Sequence, residues 1–174
     1  MTSRPGSGEY ADFYKDYIAH VPEGSVVEIL ASELIKWEQF LAEISEAQAE
    51  ARTRDGKWSV KEILGHLCDA ERVFGYRALR ISRGDPAPLA GFEQDDYVRE
   101  GHANERSVKD LFAEFRHLRM ANIAMFRALP KDAWVRTGTA SNASVSVRAL
   151  AYITAGHEIR HLELLRKRLE EAGK

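Results

Sequence analysis

Little in this sequence staples, breaks or anchors a chain. Among 174 residues there are one cysteine and five prolines. The lone Cys68 excludes an intrachain disulfide, and with it a small oxidised scaffold. No apolar run approaches the ~20 residues of a membrane-spanning helix, so no membrane partner is expected. Neither sign of charge is in excess: 25 Lys and Arg stand against 27 Asp and Glu, a net −2. That balance argues against a nucleic-acid partner, which would favour a basic face. The opening MTSRPGSGEYADF has no apolar leader core, and the expected location is cytoplasmic. Strands are not expected, because no stretch alternates apolar and polar residues over a useful length.

What is present is an ordinary globular composition, 44% apolar and 30% charged. Residues 1–24 read as a tail with a short helix over Tyr10 to Ala19, stopped at His20-Val21-Pro22. Residues 25–174 read as a single helical domain. Ser25 with Glu28 fits a capping box, in which the two side chains satisfy free amides of a helix's first turn. Leu30, Leu34, Trp37, Leu41 and Ile44 then form the stripe of a helix with one buried face. The pattern breaks at Asp55-Gly56. Ser59 with Glu62 opens a second helix, striped by Ile63, Leu67, Ala70, Phe74, Ala78 and Ile81 and ended by Gly84-Asp85-Pro86. Ser107 with Asp110 opens a third, carrying Leu111, Phe115, Leu118 and Met125, and Pro130 ends it. The last helix starts near Ser144 or Ser146 and runs to about Glu171. Four amphipathic helices in one small chain predict an all-α four-helix bundle. Two connections, 85–106 and 131–143, are longer than compact bundles need. The first can run the bundle's length, which allows sequential helices to lie parallel.

His157 and His161 stand out. On a helix, positions four apart lie about 40° from each other, and Leu150, Ile153, Thr154, Leu164 and Leu165 project to the same side. Two imidazoles inside an apolar stripe need hydrogen-bond partners or a metal ion. Both readings fit the spacing. The text His157-Glu158-Ile159-Arg160-His161 also matches the H-E-x-x-H of zinc proteases. The downstream H-x-x-G-x-x-H extension is absent, since Leu162-Glu163-Leu164-Leu165 follow, and no strands are available to bind a substrate chain. His66, flanking the second helix's stripe, is the best third ligand. His20 and His102 are weaker, as is His117, whose neighbours Arg116 and Arg119 suggest a wet face.

Three segments carry a resemblance: WSVKEILGHLCDAERVFGYRALRISRGD (58–85), the following PLAGFEQDDYV, and SVRALAYITAGHEIRHLELL (146–165). They are similar to the DinB/YfiT-like family of metalloenzymes. The resemblance implies an up-down-down-up four-helix bundle with a long crossover loop, commonly a homodimer. It implies a divalent metal ion, zinc or nickel, held by His66, His157 and His161. Many relatives carry a further His where Arg160 stands. The implied activity is a thiol-dependent S-transferase or isomerase acting on a small molecule, with a low-molecular-weight thiol as partner. A metal-dependent hydrolase of the same fold and a non-catalytic metal-binding module are the alternatives.

Two carboxylates are candidate catalytic groups. Glu158 lies roughly 60° from His161 on the helix, either reaching a bound water or facing solvent as a surface acid. Glu71 lies on the apolar side of the second helix and needs a partner. That partner is an imidazole nitrogen or an arginine such as Arg77 or Arg148, and with an arginine Glu71 forms a plain interhelical salt bridge. Cys68, two residues from His66, points elsewhere and reads as a packing residue. Trp58, Phe92, Tyr97 and Trp134 either wall a pocket or cap the bundle end. Asp95-Asp96 reads as a solvated turn or helix start.

Overall fold

A computed structural model describes residues 3–52 and 57–172. The expected break at Asp55-Gly56 lies outside the described residues. In chain order the helices are α1 (Lys15–His20), α2 (Val26–Ala42), α3 (Glu46–Glu50), α4 (Val60–Ser82), α5 (Gln94–Glu100), α6 (Val108–Arg127) and α7 (Val147–Ala172). Two short strands, β1 (Thr137–Ala140) and β2 (Ala143–Ser146), precede α7.

Local chemistry explains most of the helix starts. The Ser59 Oγ accepts the Glu62 amide at 3.0 Å while Glu62 accepts the Ser59 amide at 2.9 Å, closing the box that opens α4. Ser107 accepts the Asp110 amide at 3.1 Å and opens α6. The box expected at Ser25 does not form. Its Ser side chain makes no cap bond, and Glu28 instead accepts a hydrogen bond from Arg127 of α6 at 3.0 Å.

The order of contacts gives the helix directions. From α4 to α6, Cys68 meets Leu111, Glu71 meets Arg119 and Gly75 meets Asn122, so the numbers rise together. From α2 to α6 they run oppositely: Glu28 meets Arg127, Leu30 meets Arg119 and Trp37 meets Phe115. From α4 to α7 they again run oppositely, with Trp58 at Arg168, His66 at His161 and Phe74 at His157. The four long helices therefore run up, down, down, up, with α4 and α6 parallel. The crossover between them holds α5 and packs back along α4.

Two strands stand where none were expected. β1 and β2 pair antiparallel from Thr137↔Ser146 to Ala140↔Ala143, and Ser141 and Asn142 form the turn with φ of 51° and 61°. Positive φ at both turn residues matches the right-handed twist of a hairpin, and Asn tolerates it well. Four-residue strands of small side chains give no readable alternation. The hairpin also pins the start of the crossover: the Leu89 amide donates to the Thr139 carbonyl at 2.9 Å, and the Ser141 amide to the Leu89 carbonyl at 3.0 Å.

The N-terminal segment is tied to the bundle rather than trailing from it. Arg148 of α7 donates to both Glu9 oxygens, at 2.5 and 2.6 Å, and Ser146 donates to Glu9 at 2.7 Å. Arg4 donates to the Ile18 and Val21 carbonyls. These bonds lay α1 across α7. Every α7 residue from Ala149 to Ile159 is consequently buried. Gly156 permits this contact, since a Cβ there would sit 1.8 Å from the Tyr17 carbonyl oxygen.

Two apolar clusters fill the bundle. One gathers Leu30, Phe74, Ile123 and Ile153, the other Trp37, Leu67, Phe115 and Leu162. On each of the four helices, the chain passes from one cluster to the other near the same height. A layer of buried polar side chains occupies that boundary, and the candidate site lies in it.

Candidate metal centre

Three imidazoles meet between α4 and α7. His66 and His157 approach through their Nε2 atoms at 2.9 Å, and His161 and His157 through theirs at 3.1 Å. One ligand atom from each of the three rings lies within 4.8 Å of the other two. The antiparallel packing of α4 on α7 puts His66 opposite the pair, and the four-residue spacing stacks His157 and His161 on adjacent turns. His66 and His157 are buried, and His161 is half-buried.

Protons alone satisfy this arrangement poorly. His157 Nε2 faces two other ring nitrogens but offers one site, either a single N–H or a single lone pair. His66 Nδ1 is buried without a partner among the described residues. Every assignment to neutral rings therefore leaves a contact or a buried nitrogen unsatisfied. Charging the rings is no remedy. Burial holds the His66 imidazole down at about 4, slightly offset by Asp95. Burial and the neighbouring His66 hold His161 at about 3. Burial and the two adjacent rings push His157 well below its ordinary range. Three neutral imidazoles with lone pairs converging are instead a good donor set for a borderline divalent ion. Tetrahedral ligation at about 2.0–2.1 Å sets nitrogens about 3.3 Å apart, close to the spacing found. The residues fit a metal.

The sequence matches the DinB superfamily over residues 34–165. The chain belongs to the DinB superfamily. Solved structures share the fold. YfiT from Bacillus subtilis, a probable metal-dependent hydrolase with an unusual four-helix bundle topology, superposes with a TM-score of 0.76 at 14% identity, covering 98% of this chain and 94% of that one. A mycothiol-dependent maleylpyruvate isomerase superposes with a TM-score of 0.68 at 11% identity, covering 83% of this chain and 61% of the isomerase. A histidine-to-alanine variant of that isomerase gives 0.66 at 11% identity, with the same coverage. No curated protein matches the sequence.

The other histidines of this DinB chain stand apart from the trio. His20 bonds the Asp16 carbonyl at 2.6 Å, His102 faces Glu105 at 3.5 Å in left-handed backbone, and His117 is exposed. Cys68 is buried, its thiol near the Leu111 carbonyl and pushed up to about 12 by burial. That is the packing role its spacing suggested.

Glu71 and Glu158 turn toward a third residue. Arg119 of α6, fully buried, donates to Glu71 from Nε at 3.0 Å and Nη2 at 2.6 Å, and from Nη1 to Glu158 and to the Leu30 carbonyl, the latter at 3.1 Å. Asn122 completes Glu71 at 2.7 Å. Glu158 is fully buried, not a surface acid, and burial pushes its carboxyl up to about 8 against the pull of Arg119. The partners considered for Glu71 work elsewhere: Arg77 donates to the Ala90 carbonyl and to Ser141, and Arg148 holds Glu9. Arg119 was the functional residue hidden by its setting, since Arg116 and His117 beside it are exposed. Its place one turn after Phe115 was the available signal.

The aromatic residues divide. Trp58 packs on His66 with ring centroids 4.9 Å apart, and Phe92 and Tyr97 pair at 5.2 Å. Trp134 stacks on Phe126 within the core. A cleft of about 230 Å³ reaches His66 and His157, with Phe92 in its wall. Tyr14, Tyr17 and Phe74 line it too, none of them foreseen from the sequence. Tyr17 sits edge-on to His157 at 5.4 Å and Phe74 at 5.9 Å. Among the described residues, no helix is long and apolar enough to cross a membrane.

Proposed function

We propose that this DinB-superfamily chain is a divalent-metal-dependent enzyme acting on a small molecule, as a thiol-dependent S-transferase or isomerase. The observation that carries the reading is the convergence of three neutral imidazole Nε2 atoms where a cleft reaches the bundle's interior. His66, His157 and His161 hold the ion, zinc or nickel by the family resemblance, since imidazole ligands alone also suit iron and copper. Bound there without a carboxylate ligand, the ion keeps its full charge and supplies a Lewis acid that eases deprotonation of a thiol or water and polarises a substrate oxygen.

The chain's own residues do the rest. Tyr17 and Phe74 pack edge-on against the His157 ring and keep bulk water from it. Trp58 shields His66. Glu71 and Glu158 are positioning residues: through Arg119 they lock α4 to α7, the two helices that carry the ligands. A thiol partner fits the mycothiol-dependent isomerase among the structural neighbours, and the hydrolase reading fits YfiT. The homodimer and the cytoplasmic location belong to the same reading, and sedimentation of the metal-loaded protein checks the first.

The test is metal analysis of tag-free protein. One equivalent of divalent metal is expected in the wild type and none in His66→Ala. Assays of the loaded protein with thiols plus electrophiles, run beside ester substrates, then separate transfer from hydrolysis. Stoichiometric metal retained in His66→Ala contradicts the site.

A further inference from the structure

The cleft above the histidines is selective by construction. Phe13, Tyr14, Tyr17, Phe74 and Phe92 supply five aromatic rings to its wall, and His66 and His157 reach it from below. Among the described residues no lysine or arginine lines it, and the acid on its rim is Glu93. Arg77 of α4, which reaches Ser141 in the cleft wall, is engaged by the Ala90 carbonyl and Ser141 at 2.7 and 2.8 Å. A substrate body entering here meets ring faces and edges and the neutral polar side chains of Gln94 and Ser141, with no lysine or arginine in the lining for a carboxylate, phosphate or sulfonate remote from the metal. The volume of about 230 Å³ holds a single ring system with a short head group rather than a branched sugar or a peptide.

We propose that the cleft selects an uncharged aryl substrate, with one oxygen- or sulfur-bearing head at the histidines and its ring among Tyr17, Phe74 and Phe92. This rests on the metal reading above and names the substrate class for it. Phe13 and Phe92 are specificity residues. Phe13 is 73% exposed and comes from the segment tied down by Arg148 and Glu9, so the N-terminal segment builds part of the pocket. Polyanionic thiols are excluded by the same lining and by Glu93, and a neutral thiol is accepted.

Three hydroxamates, titrated calorimetrically into the zinc-loaded protein, test this, because they share a metal-binding head and differ in the body. Benzohydroxamate is expected to bind about tenfold more tightly than acetohydroxamate, from burial of one ring. Its 4-carboxy derivative is expected to bind more weakly than benzohydroxamate. The double variant Phe13→Ala/Phe92→Ala, altered at an exposed and a half-buried position, should lose the aryl advantage and keep acetohydroxamate binding unchanged. Equal binding of the phenyl and methyl compounds, or tighter binding of the carboxylated one, overturns the substrate class and leaves the metal site standing. Failure of all three to bind the loaded protein overturns the cleft as a substrate site, and failure of the protein to take up one equivalent of zinc overturns the metal reading itself.

Discussion

Two buried polar clusters sit side by side on α7, one starting at His157 and the other at Glu158, and they treat burial differently. Around Glu158 the chain supplies both signs of charge: Arg119 lies between two acids, with Asn122 on Glu71 and the Leu30 carbonyl on Arg119, and Glu158 Oε2 alone in the set has no partner among the described residues. Around His157 it supplies three neutral rings whose nitrogens face one another. The first cluster is closed by its own counter-charge. The second is a set of lone pairs arranged for a charge that comes from outside the sequence. A buried polar group is tolerable when it is partnered, and the contrast shows which partners are built in and which are recruited.

Breaking the closed cluster has the largest expected effect. Arg119→Met leaves Glu71 and Glu158 buried without their cation and should cost about 3–5 kcal/mol in urea unfolding. It should also weaken metal retention, because α4 and α7 lose their common tether. Full stability in this variant would mean that the network is not what fixes the helices.

The open cluster sets the acid sensitivity of the metal-free protein. Its imidazoles titrate near 6.5 when unfolded, whereas folded His66 is held at about 4 and His161 at about 3. The unfolded chain binds more protons between these limits. The contribution is thus fully present above 6.5 and is lost as pH falls towards 4 and then 3. Thermal unfolding of metal-free protein across pH 7.5 to 4 should show a falling midpoint, and His66→Gln/His161→Gln should flatten it. A flat wild-type profile contradicts the burial of neutral rings.

A smaller effect distinguishes the clusters by sign. His157→Leu removes one crowded nitrogen from the metal-free protein and should raise its stability by about 1 kcal/mol while abolishing metal binding. Glu158→Leu, by contrast, removes one of the two acids on buried Arg119 and should destabilise. If both substitutions destabilise equally, the comparison fails.

The open cluster and the bundle were legible in the sequence for physical reasons. A capping box announces α4, apolar stripes announce four helices, and two histidines one turn apart inside a stripe announce a ligand face. Arg119 was not legible, because guanidinium burial depends on carboxylates from two other helices that no local pattern reveals. The Ser141-Asn142 hairpin was missed because its strands are four small residues long. At Ser25 the local capping pattern was present and lost to a distant ion pair with Arg127. The aromatic cleft was only half visible: Phe92 lay in a long loop, but Tyr17 reaches His157 only because Gly156 admits α1.

The smallest expected effect concerns the strap that completes the cleft. Hydrogen bonds from Arg148 hold the Glu9 carboxyl at about 2 against a modest opposing burial, so its contribution is present above about 4.5 and disappears as pH falls towards 2. Glu9→Gln should cost about 1 kcal/mol and raise hydrogen exchange in residues 10–20 without altering metal stoichiometry. Unchanged exchange would remove the strap from the account of the cleft.

The central claim is most directly tested by anomalous diffraction at the zinc and nickel edges from crystals of tag-free protein. The account predicts one peak bonded to the Nε2 atoms of His66, His157 and His161, at about 2.0–2.1 Å from each. No peak among these rings, or the ring of His66 turned away from the other two, would contradict it.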